Sequence, residues 1–359
     1  MSDTIIIGMS GGVDSAVAAS VLIENGYDVE AVFMKNWDEN DEEFCTAAQD
    51  YKDALQVCEM LDIPLRSIDL TDEYWEKVFK IFLEECKVGR TPNPDIICNK
   101  EIKFRAFLDY ALELGAKQIA TGHYAQIKSH DNIFQLLRGK DPNKDQSYFL
   151  YRLDQYQISK SIFPIGDLNK EFVRKKANDL GFLNHNKKDS TGICFIGERN
   201  YKKFLKKYFN TQPGDIVSNK GEIIGQHEGL MYYTYGQRQG LGIGGGYSNR
   251  EAPWYVSDKI LSENRLIVVQ GHDHPDLYHS FLTASNISWV SGSVPLSENN
   301  ITAKIRYRSK DTSCRIIKHS NNILVEFDSL QFAIAPGQSI VFYTNDICIG
   351  GGIIESRYK

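Results

Sequence analysis

The stretch Thr4-Ile5-Ile6-Ile7-Gly8-Met9-Ser10-Gly11-Gly12-Val13-Asp14-Ser15 decides how this chain is read. Thr4 to Gly8 is a short β-branched run that reads as a buried strand. A Gly/Ser turn follows, then a helical stretch from Ser15 to Asn25 closed by Gly26. Strand, glycine turn and helix in succession open an α/β domain.

Working outward, Asp28 to Met34 predicts a second strand. Residues 42–61 place Phe44, Ala47, Ala48, Tyr51, Ala54, Leu55, Cys58 and Leu61 at helical spacing. Pro64 to Leu70 and Gln118 to Thr121 predict further strands, with helices over 72–86 and 99–114 between them. This alternation predicts a parallel sheet with helices on both faces, and such folds bind ligands at the carboxyl ends of their strands. Beyond residue 123 the pattern changes. Gln126 to Arg138 reads as a hairpin turning at Ser129-His130-Asp131-Asn132, and 170–180 and 199–209 read as basic helices. From Pro213 onward, β-prone runs such as Arg265 to Gln270, Ile301 to Tyr307, Ile323 to Phe327 and Ser339 to Tyr343 alternate with turn residues. The expected division is an α/β domain over 1–198, a basic helix with a small central β-rich domain over 199–275, and a C-terminal β-barrel over 276–359. Gly236 to Gly246 (GQRQGLGIGGG) has no following helix and reads as a mobile hairpin loop, not a dinucleotide site.

At 359 residues, with 42% hydrophobic and 25% charged residues, the composition is that of an ordinary globular protein of two or three domains. No apolar run approaches the ~18 residues needed to cross a bilayer. The N-terminus has no basic flank before its apolar stretch, so it does not read as a signal peptide. Seven cysteines without a CxxC pair give no local support for a zinc ribbon or a dithiol motif, and they suit a cytoplasmic protein with reduced thiols. No structural metal is expected. The net charge of -6 hides an asymmetry. Glu24 to Glu101 carries 20 acidic and 8 basic residues, whereas Lys160 to Asn210 carries 12 basic and 5 acidic. Charge blocks are usually solvated faces, but this asymmetry also leaves room for a polyanionic partner.

Chemistry concentrates in three segments. In Gly8-Met9-Ser10-Gly11-Gly12-Val13-Asp14-Ser15 the paired glycines let the backbone approach an anion, and the helix N-terminus adds amide donors and a positive dipole end. Ser10 and Ser15 bring hydroxyl donors, and Asp14 is placed to help hold a magnesium ion beside phosphates. The Lys-Ser/Thr of a Walker loop is missing, which argues against ordinary γ-phosphate hydrolysis. SGGVDS resembles the loop of the ATP pyrophosphatases, which cleave ATP between its α and β phosphates. That resemblance leaves the acceptor open.

The second segment is Gly89-Arg90-Thr91-Pro92-Asn93-Pro94-Asp95-Ile96-Ile97-Cys98-Asn99-Lys100. Its prolines stiffen a loop, and Cys98 immediately precedes a predicted helix whose N-terminal amides would favour a thiolate. Asp95 is placed for proton transfer or for fixing a substrate. Alone, the segment equally suits a structural cysteine in a β-to-α loop. The third segment is Asp189-Ser190-Thr191-Gly192-Ile193-Cys194-Phe195-Ile196-Gly197. Taken alone, its Cys194 reads as a buried strand residue.

In this order, SGGVDS, TPNPDxxCNxxIKF and GICFIG resemble a bacterial tRNA-specific 2-thiouridylase. The likeness continues through Ala120 to Tyr124, Lys144 to Leu150, Gly236-Gln237-Arg238, Arg306-Tyr307-Arg308 and Pro336-Gly337-Gln338. It implies an adenine nucleotide α-hydrolase-like domain and ATP-dependent 2-thiolation of the wobble uridine of tRNAs for Lys, Glu and Gln. Gly8, Met9, Ser10, Gly11, Gly12, Val13, Asp14 and Ser15 would bind ATP as its Mg2+ complex, with Met34 and Gly122 on the adenine side. Cys194 would carry a persulfide from an upstream sulfur-relay protein. Cys98 would resolve it, leaving a transient Cys98–Cys194 disulfide, with Asp95 as acid/base partner. Asn93, Pro94, Asp95, His123, Lys144, Asp145 and Gln146 would meet the target base or anticodon loop. Arg306, Tyr307 and Gln338 would contact tRNA from the barrel, and Lys202 and Lys203 from the basic helix. Two rival readings are another ATP pyrophosphatase adenylating a small molecule, and a non-catalytic RNA-binding or sulfur-carrier protein.

Overall fold

The computed structural model describes residues 4–37, 47–189, 201–243, 252–294, 300–319 and 322–359. The N-terminal strands are β1 (Thr4–Gly8), β2 (Asp28–Lys35), β3 (Leu65–Asp69) and β4 (Gln118–Ala120). After a hairpin of β5 (Ala125–His130) and β6 (Ile133–Arg138) comes β7 (Ser161–Ile162). The order β3-β2-β1-β4-β7 is parallel throughout, as the alternation of elements predicts. Side chains alternate along β1. Ile5 and Ile7 pack with Ala16 and Val17 of the helix Val13–Glu24 and with Val173 and Ala177 of the helix Lys170–Asp179. Ile6 faces the opposite layer with Phe104, Phe107 and Leu108. A strand apolar on both faces needs helices on both sides, and this one has them.

The sheet reverses its build direction between β1 and β4, the position where α/β folds form a crevice at the strand ends. The loops after these two strands are Gly8–Gly12 and Thr121–Tyr124, so sequence segments more than a hundred residues apart meet there.

Two helical regions depart from the reading by spacing. The expected helix 72–86 contains a π turn, Trp75–Phe79, between Thr71–Tyr74 and Lys80–Lys87. The helix expected from 99 begins at Pro94 and runs through Cys98 into a π segment, Asn99–Ala106, and then Phe107–Glu113. Asn93 caps it by accepting from the Asp95 amide at 3.2 Å, and Pro94 fills the first helical position, where a missing N–H costs nothing. Cys98 therefore sits at the fifth helical residue and not before the helix.

A central sheet is built from β8 (Gly214–Ser218), β9 (Ile223–His227), β10 (Trp254–Ile260) and β11 (Arg265–Gln270) in the order β10-β11-β8-β9. The last domain holds β12 (Tyr278–Trp289), β13 (Ile301–Lys304), β14 (Thr312–His319), β15 (Asn322–Phe332), β16 (Ser339–Thr344) and β17 (Ile347–Tyr358). Pairing of β12 with β17 closes these six strands into a barrel. The hairpin of the first domain does not stand apart. Strand β6 pairs with β17, Ile347 opposite Leu137 and Cys348 opposite Leu136, so the barrel sheet continues into the N-terminal domain. The shared core beneath includes Tyr148, Leu150, Val341 and Tyr343. A second shared core joins Phe79, Phe82, Cys86 and Cys98 to Phe204, Ile216, Val256 and Val268 of the central domain.

Candidate active site

At the end of β1 the Ser10 and Ser15 hydroxyls lie 3.1 Å apart, the Ser15 hydroxyl donates to the Gly12 carbonyl at 3.1 Å, and the Ser10 amide donates to the Ser15 hydroxyl. The serines thus brace the loop in this state. Gly11 has φ +74, and a Cβ on it would fall 2.2 Å from the Asp50 carbonyl oxygen. Gly122, beyond β4, has no room either: a Cβ there would stand 2.7 Å from the Ser15 amide nitrogen. Those two glycines set how closely neighbouring segments approach the loop. Met34 lies against Gly8 from β2, and its side chain also packs on the core that buries Cys98. Met9 and Val13 are buried and hold the loop from below.

Asp14 is engaged on both oxygens. Lys170 donates to them at 2.8 and 2.9 Å, and the Tyr124 hydroxyl donates at 2.7 Å. Lys170, itself buried, also reaches Asp189 at 2.7 Å, and Asp189 accepts from Lys144 at 2.5 Å and Arg174 at 2.9 Å. Burial alone would raise the Asp189 carboxyl, but the hydrogen bonds from Lys144 and Lys170 outweigh it and hold the group down at about 2. Asn184 and Lys187 both donate to the Gly11 carbonyl, at 3.1 and 3.2 Å. Sequence reasoning missed Tyr124, Lys170, Asn184, Lys187 and Asp189 as neighbours of the loop. Only the basic character of 170–180 pointed that way, and it does not say which face of the helix turns inward. Asp14, beside the glycine loop at the start of a helix, suits the magnesium complex of a nucleotide, which takes one or two carboxylates plus phosphate oxygens. Among the described residues no group of three or more His, Cys, Asp or Glu is arranged to hold a metal ion by itself.

Cys98 is 1% exposed, packed with Ile102, Phe82 and Cys86. Its neighbour Asn99 donates to the Phe149 carbonyl at 3.1 Å, and Phe149 packs on Tyr307 of the barrel with ring centres 4.5 Å apart. Tyr307 is thereby brought to the Cys98 helix, as is Gln338, whose amide donates to the Thr91 carbonyl at 2.7 Å. Cys194 and its GICFIG segment lie outside the described residues.

The other expected contacts are held by internal partners. His123 is buried, 2.8 Å from the Thr121 hydroxyl, and burial with the nearby Lys103 charge keeps it neutral. Asp145 accepts from the Gly139 and Ser147 amides, and Gln146 accepts from the Tyr124 amide at 2.9 Å. Arg306 donates to the Tyr235 and Ala333 carbonyls, at 2.9 and 2.6 Å, and so joins the central domain to the barrel. Lys202 and Lys206 share Glu228, at 3.1 and 2.5 Å, while Lys203 is exposed.

A parallel α/β sheet whose SGGVDS loop opens at the β1/β4 switch point, followed by two β domains, fits the class of ATP-pyrophosphatase-type enzymes that the loop sequence resembles. Residues 3–198 match the family described as tRNA methyl transferase HUP domain, 202–270 its PRC-barrel domain, and 279–354 the aminomethyltransferase beta-barrel domain. The chain is 56% identical to a protein of Hydrogenovibrio crunogenus named tRNA-specific 2-thiouridylase MnmA, over 99% of this chain and 94% of that one. Proteins of the same name from Nitrosomonas eutropha and Methylococcus capsulatus are 55% and 54% identical, over 98% and 100% of this chain and 98% of each of theirs. The chain belongs to the tRNA-specific 2-thiouridylase family, whose members are tRNA sulfurtransferases.

Proposed function

We propose that this enzyme thiolates C2 of the wobble uridine, position 34, in tRNA(Lys), tRNA(Glu) and tRNA(Gln). What supports the reading is that Met34 packs against Gly8 of the glycine loop and also against the core that includes Cys98. Methyl transfer, the reaction in the family description, does not explain an ATP-pyrophosphatase loop.

The C2 oxygen of uridine is urea-like and leaves poorly. It attacks the α-phosphorus of ATP, a C2–O–P linkage forms, and pyrophosphate departs. Gly11, Gly12 and the amides at the start of the helix Val13–Glu24 hold the phosphates. Asp14 would hold the magnesium of the ATP complex, which supplies charge neutralisation there, and Lys170, which donates to Asp14, would add positive charge beside the phosphates. The terminal sulfur of a Cys194 persulfide then attacks C2, the C2–O bond breaks and AMP leaves. Cys98 attacks the Cys194 sulfur and the S–S bond to the nucleoside sulfur breaks. The products are 2-thiouridine and a Cys98–Cys194 disulfide, which a two-electron reductant reopens. Asp95, in the first turn of the Cys98 helix, serves as acid or base. The persulfide would come from an upstream sulfur-relay protein in the reducing cytoplasm. The catalytic unit would span 1–198, with central and C-terminal domains over 199–275 and 276–359.

The target base lies in a single-stranded loop, so extruding it is inexpensive. Asn93, Pro94, Asp95, His123 and Lys144 to Gln146 would surround it. Nucleoside mass analysis of unmodified tRNA(Glu), incubated with the enzyme, ATP, magnesium, a protein-persulfide donor and a thiol reductant, tests the reading. It predicts 2-thiouridine only when ATP is present; AMP formed on another acceptor, without 2-thiouridine, would overturn it.

A further inference from the structure

The loop Gly89–Asn93, which leads into the Cys98 helix, is gripped from outside its own domain. Lys259 of β10 is buried and donates to the Gly89 carbonyl at 2.8 Å. The Thr91 hydroxyl meets that of Thr234, also of the central domain, at 3.0 Å. The barrel supplies the rest. The Thr91 amide donates to the Pro336 carbonyl at 2.9 Å, and Gln338 donates to the Thr91 carbonyl. Arg90 is the pivot: its guanidinium reaches Glu85 at 2.5 Å within its own domain and grips both carboxylate oxygens of Glu355 on β17, at 2.5 and 3.2 Å. Glu355 is itself fixed by the Ser285 hydroxyl of β12. A two-pronged arginine–carboxylate pair fixes orientation as well as distance.

We infer that the central and C-terminal domains position the reactive Cys98 helix through this loop, with Arg90 and Glu355 as the positioning pair. The inference rests on the reading of Cys98 as a reacting group. It adds that the barrel, beyond any contact with tRNA, sets the geometry of the chemistry. Asn93 and Pro94 start the helix rigidly, so a shift at Thr91 is passed on to Asp95 and Cys98 with little loss. Misplacement of a reacting group by ~1 Å costs on the order of a hundredfold in rate.

The test is Glu355→Ala and Glu355→Gln in the full-length enzyme, with Arg90→Lys and Lys259→Met as milder variants should alanine prevent folding. Each is read by thiolation kinetics, tRNA affinity and hydrogen exchange of the amides of 89–99. The expected result is kcat lower by about a hundredfold for Glu355→Ala and about tenfold for the milder variants, with KM and Kd for tRNA within about twofold. Exchange over 89–99 should quicken while that of β1 stays unchanged. Unchanged kcat, or a raised KM with kcat preserved, would overturn the inference and leave the barrel a binding domain. Quicker exchange without a loss of rate would reduce the pair to a structural brace and also overturn it. A wild-type enzyme that makes no 2-thiouridine would instead sink the reaction, and the positioning role with it.

Discussion

The glycine loop after β1 and the segment around Cys98 are supported in opposite ways. The nucleotide loop is held by its own domain: Ser15, Asn184, Lys187 and the Asp14–Lys170–Asp189 chain all come from residues before 190. The Cys98 segment is held largely from the other two domains, through Thr234, Lys259, Pro336, Gln338 and Glu355. The glycine loop is therefore braced within the first domain, whereas the Cys98 segment takes its placement from the whole chain. The hairpin β5–β6, built into the barrel sheet through β17, ties the two kinds of support together.

The sharpest break falls on the Cys98 side. Cys98→Ser should abolish 2-thiouridine formation while leaving tRNA binding intact, measured by nucleoside mass analysis and filter binding; normal product would remove Cys98 from the chemistry. On the other side, Gly122→Ala drives a Cβ toward the Ser15 amide nitrogen, 2.7 Å away, and displaces the loop. A loss of about a hundredfold in tRNA-dependent AMP formation is expected, with Cys98 surroundings unchanged by hydrogen exchange.

Asp189 gives a smaller and pH-dependent effect. Its carboxyl is held at about 2, below the unfolded value of about 3.9, so its contribution is complete above pH ~4 and is lost as pH falls through 2. Asp189→Asn should lose about 2 kcal/mol at pH 6 in urea unfolding, with the gap to wild type closing between pH ~4 and ~2. A gap independent of pH would assign the loss to packing. The least effect is expected for Lys202→Glu with Lys203→Glu. Because Lys202 already shares Glu228 with Lys206, tRNA affinity should fall only several-fold, together with the slope of log Kd against log salt. Unchanged affinity at ~0.15 M salt would remove this face from the interface.

Local pattern made the first domain legible. β1, β2, β3 and β4 lie where short strand-prone runs between turn residues predict them. What failed was local in two cases and long-range in the others. β7 has two residues, too few for a periodic signal. The Cys98 helix begins at Pro94 because a proline that disrupts a helix interior is welcome at its first turn, so the same proline that suggests a stiff loop is a helix start signal. Lys170 stands 156 residues from Asp14, and Glu355 stands 265 from Arg90. No spacing rule links such pairs; only the strand order and the closed barrel bring them together. Arg306 illustrates the same limit, because the motif that marks it does not reveal that its guanidinium is bonded to Tyr235 and Ala333.

Activation of the C2 oxygen of the target uridine by ATP, before sulfur arrives, is the step on which the proposed function rests. The decisive measurement uses tRNA(Glu) carrying 18O at C2 of uridine 34, incubated with enzyme, ATP, magnesium, a protein-persulfide donor and a thiol reductant. AMP containing one 18O is expected for each 2-thiouridine formed. Unlabelled AMP accompanying 2-thiouridine would contradict it.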